Sequence, residues 1–281
     1  MRPISESTVL VTGATDGLGK AVTTELARLG AGVLLHGRDE ARAEQTLRET
    51  WAATGSEKLA WYRADLASLH QVRDLAEGVA AEQERLDVLV NNAGIGTTVA
   101  GDRRRMESDD GHELRFAVNY LAPFLLTRLL ERLLVASAPA RIVNVTSAGQ
   151  APIDFDDVML ERRYDGVQAY CQSKLALVML TLDLAEELSG SGVTANCLHP
   201  GTYMPTKMVL ESGTSPRDSL ESGVRSTMRL IADPGLERVS GQYFDRLQES
   251  LPHPQAYDAD ARRRLRELSE RLVDLSADVG L

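Results

Sequence analysis

The sequence predicts an α/β fold, a single doubly wound domain built on a parallel sheet of about seven strands. Two observations carry that expectation. Short runs rich in Val, Ile and Leu alternate with longer segments of helical period, as repeated βα units require. No long linker divides the 281 residues into halves. The composition agrees. With 43% hydrophobic and 26% charged side chains the chain can bury a core, whereas disorder needs lower hydrophobicity and a collagen-like chain far more than 22 glycines.

The elements follow in order. Thr8 to Thr12 reads as an apolar strand, and Leu18, Val22, Leu26 and Leu29 at helical spacing predict a helix from Leu18 to Leu29. Strands at Gly32 to His36, Leu59 to Arg63 and Leu86 to Asn91 alternate with helices at Glu40 to Ala53 and Leu69 to Gln83. A long helix is expected from Gly111 to Val135, then a strand from Arg141 to Thr146 and a helix from Gln168 to Leu188. Strands at Val193 to Leu198 and Gln242 to Phe244 complete the sheet. Between these two, Pro200 to Asp233 is poor in strand signal and holds Pro205, Gly213, Pro216 and Gly223, so residues 203–231 are expected to form a lid. A polar helical extension over 258–275 is expected to pack on the lid or on another subunit.

The 31 basic and 41 acidic residues leave a formal charge of −10, which repels phosphate backbones and argues against a nucleic-acid partner. No apolar run reaches the ~20 residues of a membrane span, and Arg128, Glu131 and Arg132 break even the run from Phe124 to Val135. Met1 to Glu6 leads straight into the first strand, so neither a signal peptide nor a membrane partner is expected. Cys171 and Cys197 are too few for a disulfide framework, which points to a reducing compartment, the cytoplasm. His36, His70, His112, His199 and His253 lack metal-ligand spacing, and no metal is expected. Arg103 to Arg105 and Arg262 to Arg264 are flanked by acids and read as solvated faces.

Thr12-Gly13-Ala14-Thr15-Asp16-Gly17-Leu18-Gly19 follows the first strand and opens the first helix. Such a turn sets backbone N–H groups and the positive helix end against a diphosphate, where a side chain larger than hydrogen blocks the approach. Its glycine spacing differs from the usual G-x-G-x-x-G fingerprint. Its place in a βα unit nevertheless predicts a Rossmann fold that holds a dinucleotide through Gly13, Thr15, Asp16, Gly17, Leu18 and Gly19. The second strand ends in Gly37-Arg38-Asp39. Asp39 lies 20 residues after Gly19, the spacing of a ribose 2′-hydroxyl acceptor, but Arg38 leaves the strand first and a guanidinium pairs well with a 2′-phosphate. NADP(H) is therefore favoured over NAD(H). Later strand ends carry Asp65-Leu66 and Asn91-Asn92-Ala93-Gly94, and Asp65, Leu66, Asn92, Ala93 and Gly94 are assigned to the cofactor. An Asp or Asn at such a place also serves as a cap or turn former.

Tyr170 and Lys174 are one helical turn apart and share a face. Bringing a phenol with a pKa near 10 down to neutrality needs about 4 kcal/mol. One ammonium about 4 Å away at an effective dielectric of about 20 supplies roughly that. Leu175 to Leu180 make this helix largely buried, where a lysine needs a purpose. Ser147 closes the fifth strand and offers a hydroxyl to a substrate oxygen. No residue spacing resembles a nucleophile elbow, which disfavours serine hydrolase chemistry.

Together these residues resemble the short-chain dehydrogenase/reductase family. The glycine turn, the Asn-Asn-Ala-Gly run, the Ser147, Tyr170 and Lys174 set, and Pro200-Gly201 after the sixth strand occur in family order from about Thr8 to Phe244. The resemblance implies Tyr170 as proton donor or acceptor, Ser147 as carbonyl anchor, and Lys174 as ribose ligand and modulator of the phenol. It also implies Asn119 as holder of a relay water, and places Pro200, Gly201 and Thr202 beside the cofactor. Within the family, Ile153 to Asp157 and Ala169 to Ala176 are similar to the retinol dehydrogenase and WW-domain oxidoreductase branch. So is the separation of 23 positions between Ser147 and Tyr170, longer than is common in the family. This likeness implies a roomy or lipophilic substrate. The typical membrane anchor is not expected here, aromatic residues make up only 5%, and Thr206 sits one place later than the usual threonine after Pro200-Gly201, so retinoids are not the expected substrate. A homodimer or homotetramer fits the resemblance.

The expected function is an NADP(H)-dependent oxidoreductase interconverting a carbonyl and an alcohol on a small or medium, or lipophilic, molecule. Epimerisation through a transient ketone, reduction of a double bond on the same scaffold, and nucleotide sensing without catalysis stand as alternatives.

Overall fold

A computed structural model describes residues 2–98, 104–211 and 213–275, so Arg103 of the first arginine run lies outside the described residues. The strands are β1 Thr8–Val11, β2 Gly32–Gly37, β3 Leu59–Arg63, β4 Val88–Asn91, β5 Ala140–Val145, β6 Val193–His199, β7 Tyr243–Asp245 and β8 Gln248–Ser250. The helices are α1 Gly17–Arg28, α2 Glu40–Thr54, α3 Leu69–Glu82, α4 Leu114–Phe116, α5 Ala122–Ala136, α6 Gly166–Glu187, α7 Lys207–Glu211, α8 Leu220–Ala232 and α9 Ala259–Leu272. The strands form one sheet in the order β3-β2-β1-β4-β5-β6-β7-β8. All neighbours are parallel except β7 and β8.

The chain starts at the middle of the sheet, winds outward to β3, then returns to β4 and winds the other way. The loops after β1 and β4 therefore diverge and leave a crevice at the carboxyl edge. Helices cover both faces, which is why the central strands read as continuous apolar runs. Period-two alternation sends Val9 and Val11 into the layer with Leu18, Val22, Leu26 and Ile231, and Leu10 into the layer with Leu75, Leu125, Leu130 and Leu177.

Four expectations change. The sheet gains β8, three exposed residues without an apolar run that pair only as the return of a hairpin. The long helix expected from Gly111 begins at Leu114, where the Glu113 carboxylate caps it by accepting from Phe116 N at 2.8 Å. It then runs as a π-helix over Ala117–Leu121 before α5, a distortion that often marks functional sites. The expected lid 203–231 divides into two parts. Its second half is α8, which packs on α1 and buries Leu230 and Ile231, whereas residues 203–211 approach the crevice. Finally, α9 packs on α6 of its own chain, with Tyr120 Oη 2.7 Å from Ser269 Oγ and Arg262 Nη1 3.1 Å from Asp183 Oδ1. Arg262 is thus turned inward rather than solvated, and Arg264 lies 4.5 Å over the Phe155 ring. Among the described residues, no helix is long and apolar enough to cross a membrane.

Candidate active site

The turn after β1 is shaped by glycines. Gly13 and Gly17 lie at φ +64° and +49°, where side chains are strained. A Cβ on Gly13 would stand 2.9 Å from Ala93 Cα, one on Gly19 2.1 Å from Gly13 O, and one on Gly37 2.5 Å from Thr15 Cγ2. These close approaches form a backbone cradle at the N-terminus of α1, which fits a diphosphate. Thr12 Oγ1 braces it by accepting from Asn92 N at 2.9 Å and Ala93 N at 3.0 Å, while Asn92 Nδ2 donates to Thr12 O at 2.8 Å. Asp16 is exposed and caps α1 by accepting from Gly17 N at 2.7 Å.

Just past the end of β2, Arg38 Nη1 meets Asp65 Oδ2 at 3.0 Å. The other Asp65 oxygen accepts from Ala67 N at 3.0 Å, so Asp65 is a turn former as well as an ion-pair partner. Leu66 is buried in the core. Asp39 caps α2 by accepting from Arg42 N at 3.0 Å, which accounts for an acid at that spacing without a ribose. The sequence reading missed Arg42, whose guanidinium stands 3.8 Å from both Asp16 and Asp39.

Across the switch point, Ser147 and Tyr170 converge on Gly149, where an added Cβ would lie 3.5 Å from Ser147 Oγ and 3.8 Å from Tyr170 Cε1. Ser147 Oγ accepts from Gly149 N at 3.0 Å, and Ser147 O accepts from Gln150 Nε2 at 3.0 Å and the Tyr243 hydroxyl at 3.2 Å. Lys174 is buried, with Nζ donating to Val145 O at 3.0 Å and lying 5.9 Å from the Tyr170 ring centre. The expected acidification of the phenol is not what this geometry produces. Burial pushes Tyr170 above its ordinary value, and burial lowers Lys174 to about 8. A Cβ on Gly94 would lie 3.3 Å from Lys174 Nζ and 3.2 Å from Asn119 Oδ1, so the Asn-Asn-Ala-Gly loop passes directly over both. Asn119 is fully buried. Its Oδ1 accepts from Ile95 N at 2.8 Å and its Nδ2 donates to Ile95 O at 3.1 Å and Ser173 Oγ at 3.0 Å, so its side chain clamps the loop after β4.

Pro200 and Gly201 are buried after β6. Thr202 N donates to Asp218 Oδ2 at 2.6 Å, and Arg246 Nη2 donates to Thr202 Oγ1 at 3.0 Å and to Asp218 Oδ2 at 2.7 Å. That cluster pins the neck of the segment approaching the crevice. A Cβ on Gly17 would meet Thr206 Cγ2 at 3.0 Å and one on Gly96 would meet Met208 Cγ at 2.8 Å, so the segment reaches from α1 to the loop after β4. Asp218, Tyr243 and Arg246 carry no motif, and only the tertiary fold brings them to the site. Among the described residues, no group of three or more His, Cys, Asp or Glu is placed to hold a metal.

The family model described as short chain dehydrogenase matches residues 7–216. Retinol dehydrogenase 13 of Mus musculus is 41% identical over 297 aligned positions, covering 99% of this chain and 86% of that protein. An uncharacterised protein from Mycobacterium paratuberculosis superimposes with TM-score 0.78 at 30% identity, over 96% of this chain and 94% of that one. A short chain dehydrogenase from Escherichia coli CFT073 complexed with NADPH gives TM-score 0.70 at 27% identity, over 86% and 97%.

Proposed function

This chain belongs to the short-chain dehydrogenase/reductase family, in its retinol dehydrogenase-like branch, and is an NAD(P)-dependent oxidoreductase of alcohol and carbonyl groups; from that premise we propose that it prefers NADP(H) and works through Ser147, Tyr170 and Lys174. One observation carries the reading: Ser147 Oγ and the Tyr170 ring lie together beside Gly149, and Lys174 Nζ lies against Gly94, in the same loop whose Ala93 packs on Gly13 of the glycine turn.

When bound, the nicotinamide supplies or accepts a hydride. The chain's residues handle the oxygen and its proton. Ser147 Oγ and the Tyr170 hydroxyl hold the carbonyl oxygen, and Tyr170 gives it a proton as it becomes an alcohol. Burial keeps the phenol protonated, which is the state a donor needs. Oxidation requires the phenol to ionise, and Lys174 then lies one helical turn away to offset the charge. Asn119 holds the loop beside Lys174 and, in this reading, the π-helix around it offers main-chain groups to a relay water.

Arg38 at the end of β2 is exposed and would turn from Asp65 toward a 2′-phosphate, and the NADPH complex of the Escherichia coli relative supports this choice. Gly13, Thr15, Asp16, Gly17, Leu18, Gly19, Asn92, Ala93, Gly94, Gly201 and Thr202 line the rest of the cofactor's path. Thr206, against Gly17, joins them. Residues 203–211 would exclude water over the reacting atoms. The relatives named for retinol make a lipophilic aldehyde or alcohol a member of the substrate class to test. Free Cys171 and Cys197 suit a reducing, cytoplasmic location, and a homodimer or homotetramer is checked by light scattering.

A panel of aldehydes and ketones, all-trans-retinal included, is incubated with NADPH carrying deuterium at C4. The expected product is an alcohol with the label on its carbinol carbon. Label on a reduced double bond, or inversion without net oxidation, would assign the rival chemistry. Tyr170→Phe should abolish turnover while NADPH still binds, and undiminished turnover would overturn the mechanism.

A further inference from the structure

We propose that His36 is a positioning residue for the dinucleotide turn: a neutral imidazole, protonated on Nε2, that holds the Gly13 amide away from the ligand and ties the turn to the end of β3. This rests on the nucleotide-binding reading above.

His36 lies in β2 and is 3% exposed, so it touches neither substrate nor solvent. Its Nδ1 lies 3.1 Å from Gly13 N and its Nε2 lies 3.1 Å from Ala64 O. Gly13 N–H only donates and Ala64 O only accepts. Nδ1 must therefore present a lone pair and Nε2 a proton, and both partners select the same tautomer. The main-chain oxygen of His36 accepts from Ala14 N at 2.9 Å. The consecutive amides of Gly13 and Ala14 thus donate to one residue, one to its side chain and one to its backbone. Gly13 keeps its left-handed φ of +64°, and the chain is bent so that later amides and the start of α1 face the crevice. A second proton on the ring would set an N–H against the Gly13 N–H. Burial lowers His36 to about 4, and Asp65 is the nearby charge that raises it, so the ring stays neutral.

Two substitutions separate this role from that of an ordinary core histidine. Asn offers an oxygen where Nδ1 stands and keeps the acceptor for Gly13. Gln places its amide nitrogen where Nε2 stands and keeps the donor to Ala64, leaving the Gly13 N–H without this acceptor.

The test has two readouts. With ¹⁵N-histidine labelling of the full chain and His36→Asn to assign the signal, long-range ¹H–¹⁵N spectra should show the Nε2–H tautomer from about pH 8 to about pH 5. NADPH dissociation constants, read from its fluorescence, should stay within about threefold for His36→Asn and rise about tenfold for His36→Gln. An Nδ1–H tautomer, unchanged binding by His36→Gln, or equal losses in both variants would overturn the proposal. If the variants fail to fold, the wild-type tautomer still decides it. If wild type binds NADH but not NADPH, the Arg38 preference falls and the same comparison is made with NADH. If it binds neither, the nucleotide reading falls, and the role of His36 falls with it.

Discussion

A buried amine and a half-buried phenol set the pH behaviour of this site. Burial lowers Lys174 from 10.5 to about 8, so the folded chain holds this proton less tightly than the unfolded one. Between about pH 8 and 10.5 the unfolded chain binds more protons there than the native one, and stability rises with pH through that window by about 3 kcal/mol. The urea-unfolding free energy of wild type relative to Lys174→Met should show that rise, and parallel profiles would remove the account. A second residue-scale expectation concerns Arg38. Its ion pair with Asp65 is solvent-exposed, hence weak, and gives way readily to a phosphate. Arg38→Ala should weaken NADPH by at least tenfold more than NADH in titrations, and equal losses would end the 2′-phosphate argument. The sequence marked Ser147, Tyr170 and Lys174 because acid-base chemistry needs those types at those strand and helix positions. It did not show that Lys174 donates to Val145 O, since that contact joins positions 29 apart.

Elements were legible wherever one periodicity ran uninterrupted, as in α1, α3 and the inner strands. They were misread where a side chain overrode the pattern. Glu113 starts α4 where apolar spacing predicts continuation, and Asn119, within the π-helix, is bonded outward to Ile95 and Ser173. Arg115 explains how these pieces stay in place. It is fully buried, donating from Nε to Gly96 O at 2.9 Å and from Nη2 to Thr97 O at 2.8 Å, and pairing with Glu113 at 3.3 Å and with the Tyr164 hydroxyl. One guanidinium thus joins the loop after β4, the start of α4 and the approach to α6. Arg115→Met leaves Glu113 buried without its charge partner and should cost about 3–5 kcal/mol. A chemical denaturation midpoint close to wild type would contradict this.

At the scale of the whole molecule, the crevice exists because the winding direction changes between β1 and β4. A ligand that fills it binds only the folded chain and must stabilise it. NADPH at about 100 times its dissociation constant should add about 2.7 kcal/mol and raise the melting temperature by about 5 °C or more. NADH at the same concentration should add less, and thermal shift measurements decide between them. What the sequence by itself determined is the alternation of strand and helix, the glycine turn and the types and order of the candidate acid-base residues, because local backbone conformation and side-chain chemistry depend on near neighbours. Only the tertiary structure decided that His36 braces Gly13, that Arg246 and Asp218 pin the neck after β6, and that α9 lies on α6. Those contacts join segments far apart in the chain, and their partners are selected by packing, which no local pattern records.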